Sequence, residues 1–293
     1  MSYRSRELVR ACLASLQAHA GDVRTRTFVV DNASSDGTVE MIRSEFPAVE
    51  MIVNELNVGF GAANNLAIQR GSSRYVLALN PDTRVPAGAL DPLIRLMDER
   101  PRVGVCGCRL VREDGSFDHA SKRAFPTVAG ALGHFLGVGR AERAPGVLAQ
   151  YRAPGVEAGP VDAVNGAFML MRRAALEQVG LFDEGFWMYM EDLDLCYRFR
   201  EAGWVTWYEP TVTVVHVKAG TSGPIRSARL NYAFHYGMFR FYRKHYATRN
   251  ARTTNAVVYA GIVVKLAISL ARAPFRRAFA RFRPRAHPAA RET

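Results

Sequence analysis

Thr27-Phe28-Val29-Val30 runs straight into Asp31-Asn32-Ala33-Ser34-Ser35-Asp36-Gly37. A short apolar run with no polar alternation reads as a strand covered on both faces, and the polar cluster behind it as a loop at the strand's carboxyl end. Upstream, Leu8, Val9, Cys12, Leu13 and Leu16 have helical spacing over residues 5–18. Downstream, a helix is expected from about Thr38 to Phe46, with Val39, Ile42 and Phe46 inward. A strand follows at Met51-Ile52-Val53, then a loop at Asn57-Val58-Gly59-Phe60-Gly61, a helix through Leu66 and Ile68, and a strand at Tyr75–Leu79. Strands alternate with helices, which predicts an α/β fold with an open, mostly parallel Rossmann-like sheet and helices on both faces.

Ligands of such sheets bind outside the carboxyl ends of the strands. Two strands end there in acid-bearing turns: Val30 leads into Asp31-Asn32, and Leu79 into Asn80-Pro81-Asp82-Thr83. Val103–Val111 reads as a further strand whose small residues permit close packing, with Cys106 and Cys108 on one face. Residues 112–160, rich in Gly, Pro, Ala and Arg, read as loop and short helix covering the crevice. A strand over Val161–Met171 is interrupted at Gly166, a helix follows from Arg173 to Val179, and Glu191, Asp192 and Asp194 begin another helix. Trp204–Tyr208 and Val212–Val217 read as two strands, the second carrying His216 near its end.

Composition narrows the class. The 293 residues are 48% hydrophobic and 23% charged, which excludes disordered and collagen-like chains. The four cysteines lack zinc-like pairing and fit reduced, buried thiols. The start lacks a signal peptide's apolar stretch, so a cytoplasmic protein is expected. The net charge of +12 is concentrated in residues 211–293, which hold sixteen Lys and Arg against the single acid Glu292. A slightly acidic body thus carries a basic appendage.

The acidic residues each admit two readings. Asp82, after a buried strand and a proline, is a turn former or a carboxylate placed to hold Mg²⁺ or Mn²⁺ against a diphosphate. Asp31 is a turn residue or an acceptor for a nucleobase or ribose. Glu191 and Asp192 sit where a helix dipole stabilises acids in any case, yet they follow Phe186-Trp187-Met188-Tyr189-Met190, whose apolar surface raises carboxylate basicity toward that of a general base. His216 is a core histidine or a metal ligand.

Taken in order, Val29–Thr38, Asn57–Asn65, Leu79–Thr83, Asn165–Arg173, Met190–Arg198 and Val214-Val215-His216 make a pattern that resembles the family 2 glycosyltransferases of the GT-A fold, in their rhamnosyltransferase-like branch. The resemblance covers about residues 2–246. It implies that Asp31 contacts the nucleotide base, and that Asn57, Gly59 and Asn64 line the donor. Asn80 and Asp82 then match the DxD-type element, with Asp82 and His216 at the metal, and Asp192, beside Glu191 in the substrate site, is the catalytic base of an inverting transfer. The implied cofactor is Mg²⁺ or Mn²⁺. The implied partners are a nucleotide-sugar donor, with dTDP-rhamnose the leading choice and UDP-galactofuranose an alternative, and a glycan or lipid-linked glycan acceptor. Asn80 departs from the family by offering a neutral group at the first DxD position. Family members also carry an apolar strand before the segment matching Ser2-Tyr3-Arg4-Ser5, which implies a native start upstream of Met1.

The expected organisation is a catalytic domain over 1–217, a helical extension packed on it over 218–250, and an apolar, then Arg-rich tail over 251–293. The tail suits an anionic membrane surface, peripherally on the inner face of the cell membrane, better than a nucleic acid. A nucleotidyltransferase would need a glycine-rich, basic phosphate loop near its first strand, which the sequence lacks. A catalytically impaired membrane-bound scaffold is the non-enzymatic rival.

Overall fold

The computed structural model describes residues 1–18, 23–127, 156–217 and 227–281, of which 273–281 are described as backbone only. Most of the stretch expected to cover the crevice, and the arginines beyond Arg281, lie outside the described residues.

The chain opens with α1 (Arg6–Gln17), β1 (Phe28–Asp31), α2 (Thr38–Glu45), β2 (Glu50–Val53), α3 (Phe60–Arg70) and β3 (Tyr75–Leu79). The short strand β4 (Thr83–Arg84), α4 (Leu90–Glu99) and β5 (Val103–Val111) follow. Next come β6 (Lys122–Arg123), β7 (Gly159–Val161), β8 (Ala163–Val164), β9 (Phe168–Arg172), α5 (Arg173–Val179), α6 (Glu191–Glu201) and β10 (Val205–His216). The last elements are α7 (Ala228–His245), a 3-10 turn at Ala247–Arg249 and the long α8 (Arg252–Arg281).

The main sheet has the order β3-β9-β5-β10-β4, with β7 also on β10. β3, β5 and β10 run the same way, because β9 is antiparallel to both β3 and β5 while β10 is parallel to β5. β1 and β2 form a separate parallel pair, and Ser2 makes an isolated parallel bridge to Asp31.

Side-chain alternation along the strands explains why both faces had to be apolar. On β9, Phe168 and Leu170 join Leu93, Met97, Cys106, Cys108 and Leu110 under α4, while Met169 and Met171 join Leu176, Leu193 and Phe199 under α5 and α6. Val9, Leu13, Val29, Ile42 and Phe46 close a third cluster between α1, β1 and α2. All four cysteines are free thiols and buried.

Two boundaries differ from the sequence reading. The segments read as strands at Trp204–Tyr208 and Val212–Val217 are one strand, β10, whose register against β5 shifts between Glu209 and Thr213. Pro210 has no N–H to give a ladder, and the shift absorbs it. The interrupted strand at Val161–Met171 is three pieces, β7, β8 and β9, because β7 and β8 pair with β10 and β6 while only β9 enters between β3 and β5.

α7 is fastened to the body by ions. Asp194 is fully buried on α6, with Arg198 Nε at 2.8 Å, Lys244 Nζ at 2.8 Å and His245 Nε2 at 2.7 Å. Burial works against its charge, but His245, Arg198 and Lys244 prevail and bring its pKa down to about 2. Asp183 takes Arg240 and Lys244 from the same helix.

Candidate active site

Strand ends and helix starts converge at one end of the sheet. The Asn80 N–H, just past β3, donates to the Ala167 carbonyl at 3.0 Å. The neighbouring Gly166 N–H donates to Asp192 Oδ2 at 2.9 Å. The turn holding Asp82 and the helix start holding Asp192 are therefore linked through two consecutive residues of the same loop.

Asp82 and His216 meet where β4 pairs antiparallel with the end of β10. His216 faces Thr83 in register, and the Val217 N–H donates to the Asp82 carbonyl at 2.8 Å. His216 Nε2 lies 3.4 Å from Asp82 Oδ1, long for a hydrogen bond, and that buried oxygen has no hydrogen-bond partner among the described residues. A buried carboxylate oxygen beside an imidazole nitrogen is a donor pair that fits Mn²⁺ better than Mg²⁺, which prefers oxygen alone, and the diphosphate would have to supply further ligands. On the other side of the ring, Nδ1 lies 3.3 Å from Oδ2 of Asp118, itself 1% exposed. Burial disfavours the imidazolium, but Asp118 and Asp82 outweigh it and raise the His216 pKa to about 9, so a cation that binds Nε2 must displace its proton. A cavity of about 250 Å³ lined by Arg112, Glu113, Asp114, His216 and Val217 opens beside this pair. A larger hollow of about 410 Å³, lined by Asp162, Arg200 and Trp204 among others, contains none of the expected site residues.

Asp192 is held on several sides. Its Oδ2 accepts from Arg123 Nη2 at 2.6 Å as well as from Gly166, and its Oδ1 accepts from the Leu193 N–H at 2.8 Å. Glu191 is buried with Oε2 unpartnered among the described residues, and burial together with the adjacent Asp192 pushes its carboxyl up to about 8. The two acids thus differ: one is ion-paired, while burial and its charged neighbour push the other toward its neutral form. Both follow Tyr189 and Met190, whose φ angles of +71° and +73° are left-handed and cost about 1 kcal/mol each for residues with a side chain. α7 presses on this turn at Gly237, where a Cβ would lie 2.9 Å from the Tyr189 carbonyl oxygen.

The β1 end is a network of buried amides. Asp31 Oδ1 accepts from Ser2 Oγ at 2.9 Å, and Oδ2 from the Ser34 N–H at 2.8 Å. Asn32 Nδ2 donates to the Gly59 carbonyl at 3.1 Å, and Asn57 Oδ1 accepts from the Gly59 N–H at 3.0 Å. Gly59 has φ +95°, and a Cβ there would lie 2.3 Å from the Trp187 carbonyl oxygen. The Asn57–Phe60 loop is thereby seated on the segment that leads to Glu191, with Trp187 Nε1 donating to the Asn57 carbonyl at 3.3 Å. Among the described residues Asn64 donates only to the Phe60 carbonyl of its own helix, at 2.9 Å. Its neighbour Asn65 binds across to Phe182 through both amide atoms.

Hydrogen bonds and loop contacts thus join eight of the expected residues into two groups, Asp31, Asn57 and Gly59 in one and Asn80, Asp82, His216, Glu191 and Asp192 in the other, while among the described residues Asn64 is tied to neither. The sequence reading missed Asp118, Arg123 and Asn32. Asn32 could have been found, since it follows Asp31 in the same turn; the other two lie in the stretch without period.

Known proteins share the sequence family and the fold of this chain. The model of the family described as Glycosyl transferase family 2 matches residues 1–180. N-acetylglucosaminyl-diphospho-decaprenol L-rhamnosyltransferase of Mycobacterium tuberculosis is 34% identical over 224 residues, covering 72% of each chain. Rhamnosyltransferase WbbL of Escherichia coli K12 is 26% identical over 74% of this chain and 81% of its own. Among solved structures, mannosyltransferase PcManGT from Pyrobaculum calidifontis, in complex with GDP-Man and Mn²⁺, superposes with TM-score 0.57 at 16% identity, covering 97% of this chain and 79% of that one. GalNAc-T7 with UDP, GalNAc and Mn²⁺ gives TM-score 0.58 at 14% identity over 79% and 44%.

Proposed function

This chain belongs to glycosyl transferase family 2 and is a glycosyltransferase of the GT-A fold, and from that premise we propose that it transfers rhamnose from dTDP-rhamnose to a lipid-linked glycan, with inversion. The donor sugar follows the rhamnosyltransferases it resembles, and the acceptor follows the diphospho-prenol-linked N-acetylglucosamine in the name of the mycobacterial relative.

In this reading Asp192 accepts the proton of the acceptor hydroxyl as that oxygen bonds to the anomeric carbon. The bond from the anomeric carbon to the diphosphate breaks in the same step, and its electron pair leaves with the nucleoside diphosphate. Arg123 and the Gly166 N–H keep the carboxylate aimed, and Glu191, protonated, adds no second charge beside it. Asp82 and His216 would hold the divalent metal, which supplies neutralisation of diphosphate charge when bound. Asp31 and the Asn57–Gly59 loop would line the nucleoside. The observation that carries the reading is the link from Asn80 through Ala167 and Gly166 to Asp192, which joins an ion-paired carboxylate to a turn suited to a diphosphate.

The test is nucleoside diphosphate release with Mn²⁺ or Mg²⁺ from a panel of dTDP-, UDP- and GDP-sugars and a prenyl-diphosphate-linked N-acetylglucosamine. Turnover is expected with dTDP-rhamnose, and Asp192→Asn is expected to lower kcat by about 10²- to 10⁴-fold. Turnover only with another donor overturns the sugar assignment, and an unimpaired Asp192→Asn removes that residue from the base role.

A further inference from the structure

α8 carries an apolar stretch, Arg252–Arg272, long enough to cross a bilayer and with a mean hydropathy of 1.7 over its most apolar 18 residues. Its packing decides against crossing. Val258 and Ile262 are buried on α7 beside Tyr242. Tyr242 Oη donates to Asn255 Oδ1 at 2.8 Å near one end, and Ser269 Oγ donates to Asn231 Oδ1 at 3.0 Å near the other. The helices are thus antiparallel and in contact from Asn255 to Ser269, about 21 Å of helix. α7 is in turn ion-paired to the catalytic body through Arg240, Lys244 and His245. A helix held at both ends of this stretch to α7, and through it to the catalytic body, is placed to lie beside that body rather than to run away from it through the hydrocarbon.

The opposite face of α8 is left apolar. Val257 is 56% exposed, Val263 65%, Val264 56% and Ile268 46%, and Ala256, Ala260, Ala267 and Ala271 lie exposed among them. Tyr232 and Tyr236 of α7 extend the face, stacked at 6.0 Å and continuing through Phe239 to Tyr259. Exposed Arg252 and Arg272 bracket it, and no Asp or Glu occurs in the sequence from 211 to 291. Aliphatic side chains flanked by tyrosines and arginines match the layered chemistry of an anionic bilayer surface, with acyl chains beneath polar and negative headgroups.

We propose that α8 is a monotopic anchor: while still docked on α7, it lies in the plane of an anionic membrane and buries the Val257–Val263–Val264–Ile268 face in the interface. The proposal does not depend on which sugar is transferred, because membrane binding is read without turnover.

The test is flotation of the full chain with vesicles of phosphatidylcholine alone or with about one-third phosphatidylglycerol. Wild type is expected to float with the anionic vesicles, and Val263→Glu/Ile268→Glu to float at least tenfold less with an unchanged thermal melt. A second variant, Asn231→Cys/Ser269→Cys, joins α8 to α7 by a disulfide whose formation is checked by mass; the native thiols are buried and do not compete. The cross-linked protein is expected to float like wild type. Loss of binding on cross-linking would mean that α8 must leave α7, and overturns the in-plane arrangement. Wild type that stays unbound, including as a dimer closed over this face by light scattering, or the glutamate variant floating equally well, overturns the proposal.

Discussion

Arg123 reaches across 69 positions of chain to place Nη2 2.6 Å from Asp192 Oδ2, an ion pair in which both side chains are largely buried. Its partner is the carboxylate proposed as general base, so the guanidinium acts on the reaction through aim and charge rather than contact with substrate.

Arg123→Met is expected to lower kcat by about 10²-fold with little change in donor KM, and Arg123→Lys by less. Non-additivity is the sharper measurement: in an Asp192→Asn background, Arg123→Met should cost little more. Fully additive losses would place Arg123 outside the Asp192 unit.

Glu191 gives a pH signature. Its carboxyl is raised to about 8 in the fold from an ordinary value of 4.5, by burial first and Asp192 second. The folded chain therefore holds a proton that the unfolded chain has lost, and stability falls as pH rises from about 4.5 to about 8. Glu191→Gln, which keeps the neutral shape, should reduce that slope by up to one proton in denaturant titrations across this range. An unchanged slope would show Glu191 ionised throughout.

At the proposed metal pair, Asp118 orients His216 through Nδ1. Asp118→Asn is expected to weaken Mn²⁺ binding in the presence of dTDP by about 10-fold, and Asp118→Ala by up to about 100-fold, measured by the electron paramagnetic resonance of free Mn²⁺. Equal affinity in all three proteins would separate His216 from the metal.

Gly59→Ala must relieve a Cβ placed 2.3 Å from a backbone oxygen at a φ of +95°. A loss of at least about 2 kcal/mol in urea unfolding is expected, with weaker nucleotide binding. Neutral behaviour would mean that the Asn57–Phe60 loop is free of Trp187.

Gly237→Ala tests the turn before the acidic pair. Alanine favours the α7 helix by about 1 kcal/mol, yet its Cβ would press on the Tyr189 carbonyl oxygen at 2.9 Å. The expected outcome is lower kcat without a matching gain in stability, read by paired thermal melts and initial rates.

The alternation of β1, α2, β2, α3 and β3 was legible because each strand is a bare apolar run and each helix keeps its period. The turns at Asp31 and Asp82 were legible as strand endings. Asp118 and Arg123 were not, for a physical reason: their partners His216 and Asp192 lie 98 and 69 positions away, and no local pattern encodes a long-range ion pair. Asp194 resembled its two acidic neighbours in sequence; only the arrival of α7 gives it three cationic partners. The long β10 was obscured by Pro210, since a proline in a strand reads as an ending until the register shift beside it is visible.

The sealed thiols turn this enzyme into its own reporter. Cys12 belongs to α1, Cys106 and Cys108 to the central strand β5, and Cys196 to α6, and burial raises the pKa of each. An alkylating reagent must wait for the surrounding layer to open before it finds a reactive thiolate. Timed labelling followed by peptide mapping would then rank three regions of the molecule by the ease with which they come apart, without a single added probe.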